Sequence, residues 1–98
     1  MNINQIKNGT ELTIGLADRL DTTTAPELEK ALKEALDGVT ELTFDFAELA
    51  YISSAGLRVL LSTQKAMSRQ GNMKIIHVSE IIMEIFDVTG FSDILTIE

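Results

Sequence analysis

The chain has 98 residues, 45% of them hydrophobic, no cysteine, and a formal net charge of -7 from 15 acidic and 8 basic residues. That length holds a single domain, residues 1–98, with one core of its own, and the lack of thiols excludes a disulfide framework, a thiolate metal site and a cysteine nucleophile. The acidic balance has the wrong sign for direct binding of nucleic acid, and no apolar run approaches the roughly 18 residues of a membrane span, so the composition points to a cytoplasmic protein without membrane insertion.

The N-terminal MNINQIKNGT lacks the basic and apolar regions of a signal peptide. Residues 2–7 and 11–17 read as short strands joined through Asn8 and Gly9, which predicts an antiparallel hairpin. In TTTAPELEKALKEALDG, Leu28, Leu32, Ala35 and Leu36 recur at helical spacing, with Glu29, Lys30, Lys33 and Glu34 on the other faces. Thr24 and Glu27 match a capping box, Pro26 is tolerated in the first turn, and Gly38 marks the stop.

TELTFDFAEL places Leu42, Phe44 and Phe46 on one side of a strand and Thr43, Asp45 and Ala47 on the other. GLRVLLSTQKAMSRQG reads as a helix with Leu57, Leu60, Leu61 and Gln64 on one face, ending at Gly71. MKIIHV is expected to be a strand. SEIIMEIFDVTG is expected to be a helix capped by Ser79 and Gly90, with Ile82, Ile85, Phe86 and Thr89 inward. ILTIE reads as a closing strand. The order β-β-α-β-α-β-α-β makes this an α/β chain with a single mixed, mostly parallel sheet.

Catalytic motifs are absent. SSAG is not the G-x-S-x-G of a serine hydrolase, His77 is expected to be a hydrogen-bonded structural residue, and neither a P-loop nor a dinucleotide fingerprint occurs. Asp18, Asp21, Asp45 and Glu48 fall near strand ends without metal-ligand spacing, and Met67, Met73 and Met83 read as core fillers. The residues therefore imply no enzyme, metal or cofactor.

The stretch YISSAGLRVL is the exception to an otherwise bland chain. Ser53 and Ser54 stand between a strand and a helix, at a junction where sites gather in sheets of this kind. Read from the residues, the pair fits an N-cap. The functional alternative is a phosphorylation site, because a helix start accepts an anion readily and the added charge would disrupt any interface covering it.

ELAYISSAGLRVLL resembles the central motif of STAS domains, the family of sulfate transporters and anti-sigma factor antagonists. ADRLDTTTAPELEKAL resembles the family's G-x-L-D-x-x-T-A segment, and FDVTGFSDILTI its closing helix-strand segment. The resemblance implies a STAS fold and, among its small standalone members, an anti-sigma factor antagonist. Aligned on Gly56 and Leu57, Ser54 takes the phosphorylated position, with Ser53, where an aspartate often stands, as the second choice. Asp18 stands where the family carries glycine. By the same resemblance Asp21, Thr22, Ser53, Ser54, Ala55, Gly56 and Arg58 belong to the surface that meets the partner. That partner is implied to be an anti-sigma factor serine kinase, with a serine phosphatase reversing the modification and no cofactor. An alternative within the family is a cytoplasmic subunit of a lipid-transport ATPase, again a protein-binding module.

Overall fold

The computed structural model describes residues 2–98. A four-stranded sheet is built from β1 (Ile3–Asn8), β2 (Glu11–Leu20), β3 (Glu41–Ile52) and β4 (Asn72–Ile76), in that spatial order. The β1–β2 pair is an antiparallel hairpin, whose turn uses Gly9 at φ 65°, and the β2–β3 and β3–β4 pairs are parallel. Two crossovers, α1 (Ala25–Ala35) and α2 (Ser54–Ser68), step along the sheet in the same direction. Right-handed connection then puts both helices on the same face, and α3 (Glu80–Thr89) joins them through Phe86, whose ring lies 6.4 Å from that of Phe46.

One face of each strand supplies the core. Leu12, Ile14 and Leu16 of β2, Leu42, Phe44 and Phe46 of β3, and Met73 and Ile75 of β4 pack against Leu28, Leu32, Leu57, Leu60, Met67, Ile82 and Phe86 of the helices. Met67 and Met73 are buried and Met83 is packed against their cluster, so all three fill the core as their sequence positions suggest. The opposite face, with Thr13, Gly15, Thr43, Asp45, Lys74 and Ile76, is half-buried or exposed.

The β2–β3 ladder is not regular. Gly15 pairs with Asp45 but Ala17 with Glu48, and Asp18 pairs with Leu49 but Arg19 with Tyr51, so β3 twice has one residue more than β2. Such extra residues bend a strand and increase its twist. The buried positions of β3 accordingly change from alternate residues to Phe46, Leu49 and Ile52, and the strand runs on past the expected 40–49 to reach the serine turn.

Several expected boundaries are corrected. β2 continues to Leu20 rather than stopping at residue 17. β4 ends at Ile76 rather than residue 78, because His77 adopts φ 58°, a left-handed conformation that breaks the ladder. The α1 capping box does not form through Thr24, whose side chain makes no cap hydrogen bond. In α2 the inward face comprises Leu57, Val59, Leu60, Thr63 and Met67, while Leu61 and Gln64 are only half-buried. Thr89 of α3 is exposed and its hydroxyl donates back to the Ile85 carbonyl at 2.7 Å. The closing strand is the largest correction. After Gly90, at φ 81°, a 3-10 turn spans Phe91–Asp93, and only Ile97 makes a bridge, to Ile75. ILTIE has the right alternation, but Leu95 is drawn into the core and its N–H returns to the Phe91 carbonyl at 2.9 Å, so one bridge is all the tail reaches.

Candidate functional site

The serine turn is held from both sides. Ser53 is extended (φ -97°, ψ 176°), its N–H donates to the Leu20 carbonyl at 2.9 Å, its carbonyl accepts the Leu57 N–H at 2.9 Å, and its Oγ accepts the Gly56 N–H at 3.5 Å. Ser53 is therefore the N-cap of α2. Ser54 is the first residue of the helix and is exposed, with its hydroxyl making no hydrogen bond among the described residues. No acidic side chain stands in the first turn of α2.

Gly56 lets α2 start this close to the sheet. A Cβ at that position would lie 2.7 Å from Leu20 Cγ, 2.8 Å from Ile52 Cγ1 and 2.9 Å from the Leu20 carbonyl oxygen. The register pair Leu20–Ile52 thus forms the floor beneath the first turn, and the end of β2 fixes where Ser53 and Ser54 stand.

The loop after β2 is tied to itself by side-chain hydrogen bonds. The Asp21 carboxylate turns back on its own loop, accepting the N–H groups of Thr23 at 3.0 Å and Thr24 at 3.2 Å and the Arg19 guanidinium at 3.3 Å. Thr24 Oγ1 adds a bond to the Arg19 carbonyl at 2.9 Å and accepts the Asp21 N–H at 2.8 Å. Desolvation pushes the Asp21 carboxyl up, but the Thr24 and Thr23 N–H groups, Arg19 and the Thr24 hydroxyl together outweigh it and hold the group below the usual carboxylate range. Asp21 shapes the entry to α1. Thr22 is exposed beside it and lines, with Ala55 and Arg58, a hollow of about 470 Å³ between the starts of α1 and α2.

Two residues passed over in the sequence meet at the ends of the strands that lead into these turns. Arg19 lies over the Tyr51 ring, 4.4 Å from its centroid, and the two are register partners at the ends of β2 and β3. Their spacing offers the only signal: Arg19 is two residues before Asp21 and Tyr51 two before Ser53.

The other acidic candidates lie elsewhere. Asp45 Oδ1 accepts the Ala47 N–H at 2.9 Å, at the first irregularity of β3, and is 2.9 Å from His77 Nδ1. The Ala47 N–H, followed by His77, holds the Asp45 carboxyl below its ordinary value against a smaller opposing effect of burial. His77 is thus hydrogen-bonded, as expected, but stands exposed just past β4 rather than within a strand. Asp45 and Glu48 border a hollow of about 490 Å³ on the open sheet face, over Gly15, Ala17 and Ala47. Asp18, paired with Leu49, adopts φ 65°, a conformation glycine takes without strain. Among the described residues no three His, Asp or Glu side chains are grouped to hold a metal, and no helix is long and apolar enough to cross a membrane. Among the described residues neither serine is hydrogen-bonded to His77, whose ring is engaged by Asp45.

Comparison with known proteins supplies the family. A family model described as "Mlab, STAS domain" matches residues 3–96. The anti-sigma-B factor antagonist of Staphylococcus epidermidis is 32% identical over 97 residues, covering 97% of this chain and 90% of its own. That of Bacillus subtilis (strain 168) is 29% identical over 98 residues, covering 99% and 90%. Among solved structures, an anti-sigma factor antagonist from Mycobacterium paratuberculosis matches with a TM-score of 0.87 at 18% identity, over 98% of this chain and 83% of that one. The anti-sigma factor antagonist SpoIIAA in its unphosphorylated form matches with a TM-score of 0.77 at 15% identity, over 99% and 87%. At such identities the structural likeness is one of fold.

Proposed function

The chain belongs to the STAS domain family, and from that premise we propose that it is an anti-sigma factor antagonist whose binding is switched off by phosphorylation of Ser54. The unmodified protein binds an anti-sigma factor that is also a serine kinase, and so releases the sigma factor. The kinase transfers the γ-phosphoryl group of its ATP to Ser54 Oγ, ADP leaves, and a serine phosphatase later hydrolyses the ester. The chain itself acts as substrate and binding module, in the cytoplasm, and needs no cofactor.

One observation carries the reading: capping and exposure are divided between the two serines. Ser53 holds the Gly56 N–H while Ser54 presents an unengaged hydroxyl at the helix start. A phosphate on Ser54 would therefore leave the cap intact, and the helix dipole would favour its charge. The fold absorbs the modification easily. A partner covering the turn would not, since about -1.5 to -2 added charges would have to be desolvated in the interface. A loss of about 3 kcal/mol weakens binding more than a hundredfold.

Calorimetry with the cognate anti-sigma factor tests this directly. Ser54→Ala is expected to bind and to resist phosphorylation, and Ser54→Asp to bind at least tenfold more weakly than wild type. Mass spectrometry after incubation with the kinase is expected to find phosphate on Ser54. Equal affinity of the phosphorylated and unmodified proteins would refute the switch, and phosphate on Ser53 alone would refute the assignment. A stable complex with a transporter ATPase, and none with an anti-sigma factor, would replace the reading with the transport-associated one.

A further inference from the structure

The hollow beside the serine turn does not end there. It shares Glu29, Val59 and Ser62 with a second hollow, of about 410 Å³, that continues between α1 and α2 to Leu36 and Ala66. Together they form one groove running along α2 from Ala55 to Ala66, a rise of about 16 Å along the helix. Leu32, Leu36, Val59 and Ala66 give the far half an apolar lining, bordered by the exposed Glu29–Lys33 pair at 3.6 Å. At the serine end stands Arg58, exposed and without an ionic or hydrogen-bond partner among the described residues.

We infer that this groove is a second contact surface for the same anti-sigma factor, taking an amphipathic helix of about ten residues with an apolar face and a carboxylate at the end beside Ser54. The inference rests on the function proposed above, because the groove is continuous with the surface assigned to that partner through Thr22, Ala55 and Arg58. The length of the groove matches about three turns of helix. Charge sets the direction. Along the groove Lys33 is already neutralised by Glu29, whereas Arg58 offers an unmatched positive charge one turn from Ser54. A carboxylate on the occupant would be drawn to Arg58, and a phosphate on Ser54 would compete with it for that same cation. Phosphorylation would then loosen the groove contact as well as block the turn.

The test is titration of the cognate anti-sigma factor into wild type, Ser62→Arg, Ala66→Arg and Ser54→Asp. Ser62 is exposed, so its variant keeps the fold even where Ala66→Arg does not. Both groove variants are expected to bind at least tenfold more weakly, and the backbone amide signals of Leu36 and Ala66 to shift on complex formation with wild type. Groove variants that bind like wild type while Ser54→Asp binds weakly would overturn the groove contact and leave the switch standing. Weakened groove variants beside an unaffected Ser54→Asp would overturn the switch and keep the groove. Absence of any wild-type complex would overturn both.

Discussion

Replacing Gly56 with alanine sets two opposing effects against each other at the base of α2. Alanine is favoured over glycine inside a helix by about 1 kcal/mol. Against this, the new methyl group would approach three atoms at 2.7–2.9 Å, and none of them can yield easily. Leu20 and Ile52 are 0% and 2% exposed, and the Leu20 carbonyl is fixed by its bond to the Ser53 N–H at 2.9 Å. Overpacking of this kind costs about 1–3 kcal/mol, and a collision involving the backbone belongs toward the upper end. We expect a net loss of about 1–2 kcal/mol, which for a domain of this size lowers the melting temperature by about 4–8 °C per kcal/mol. Urea unfolding followed by circular dichroism measures it. The midpoint should fall at unchanged slope, and the Ser53 and Ser54 amide signals should move most, because the helix relieves the contact by lifting its first turn. A midpoint equal to or above that of wild type would refute the reasoning, since it would mean that α2 does not rest on the Leu20–Ile52 pair.

The two serines should separate in the same experiment. Ser53→Ala removes the cap and is expected to cost about 1 kcal/mol in urea unfolding, whereas Ser54→Ala should change stability by less than about 0.5 kcal/mol; the reverse order would contradict the division of roles. Asp45 gives a pH dependence of known sign. Its carboxyl is held below the value it has when unfolded, so its contribution is present above that ordinary value and is lost as pH falls through the lower folded value. Asp21 shifts in the same direction, so the informative quantity is wild type against Asp45→Asn: the gap in urea midpoint should be present at pH 7 and close below about pH 4. A gap that widens on acidification would refute the assignment.

Much of the fold is legible because local signals and burial agree. The Leu28–Leu32 spacing of α1, the Leu42–Phe44–Phe46 alternation of β3 and the Ser79 and Gly90 caps of α3 all lie where their patterns put them. What escapes pattern reading is set by tertiary contacts. In FAELAYI a two-residue period would turn Glu48 and Ala50 inward between Phe46 and Ile52, yet the two extra residues of β3 bury Leu49 in their place. ILTIE alternates like a strand but is captured by the core at Leu95. At the site, the strand-to-helix junction drew attention to Ser53 and Ser54, and geometry then divided their work. Asp21 looked like a surface carboxylate, although an aspartate followed two residues later by Thr23 is also the pattern of a side chain tied to its own loop. Arg19 and Tyr51 meet only because parallel pairing aligns strand ends more than thirty residues apart in the chain.

The unequal lengths of β2 and β3 also bear on how this protein can change over evolutionary time. β3 uses 12 residues where β2 uses 10, yet the ladder pairs Leu12 with Leu42 near its start and Leu20 with Ile52 at its end, each pair buried on both sides. A single-residue insertion or deletion between Phe46 and Ile52 would break that agreement, turning Ile52 out or carrying the serine turn off its glycine seat. Substitutions on the exposed Ala47, Glu48 and Ala50 disturb nothing of the kind. Drift in this segment should therefore proceed by exchange of side chains at constant length, with gaps accumulating instead in the connections far from the turn.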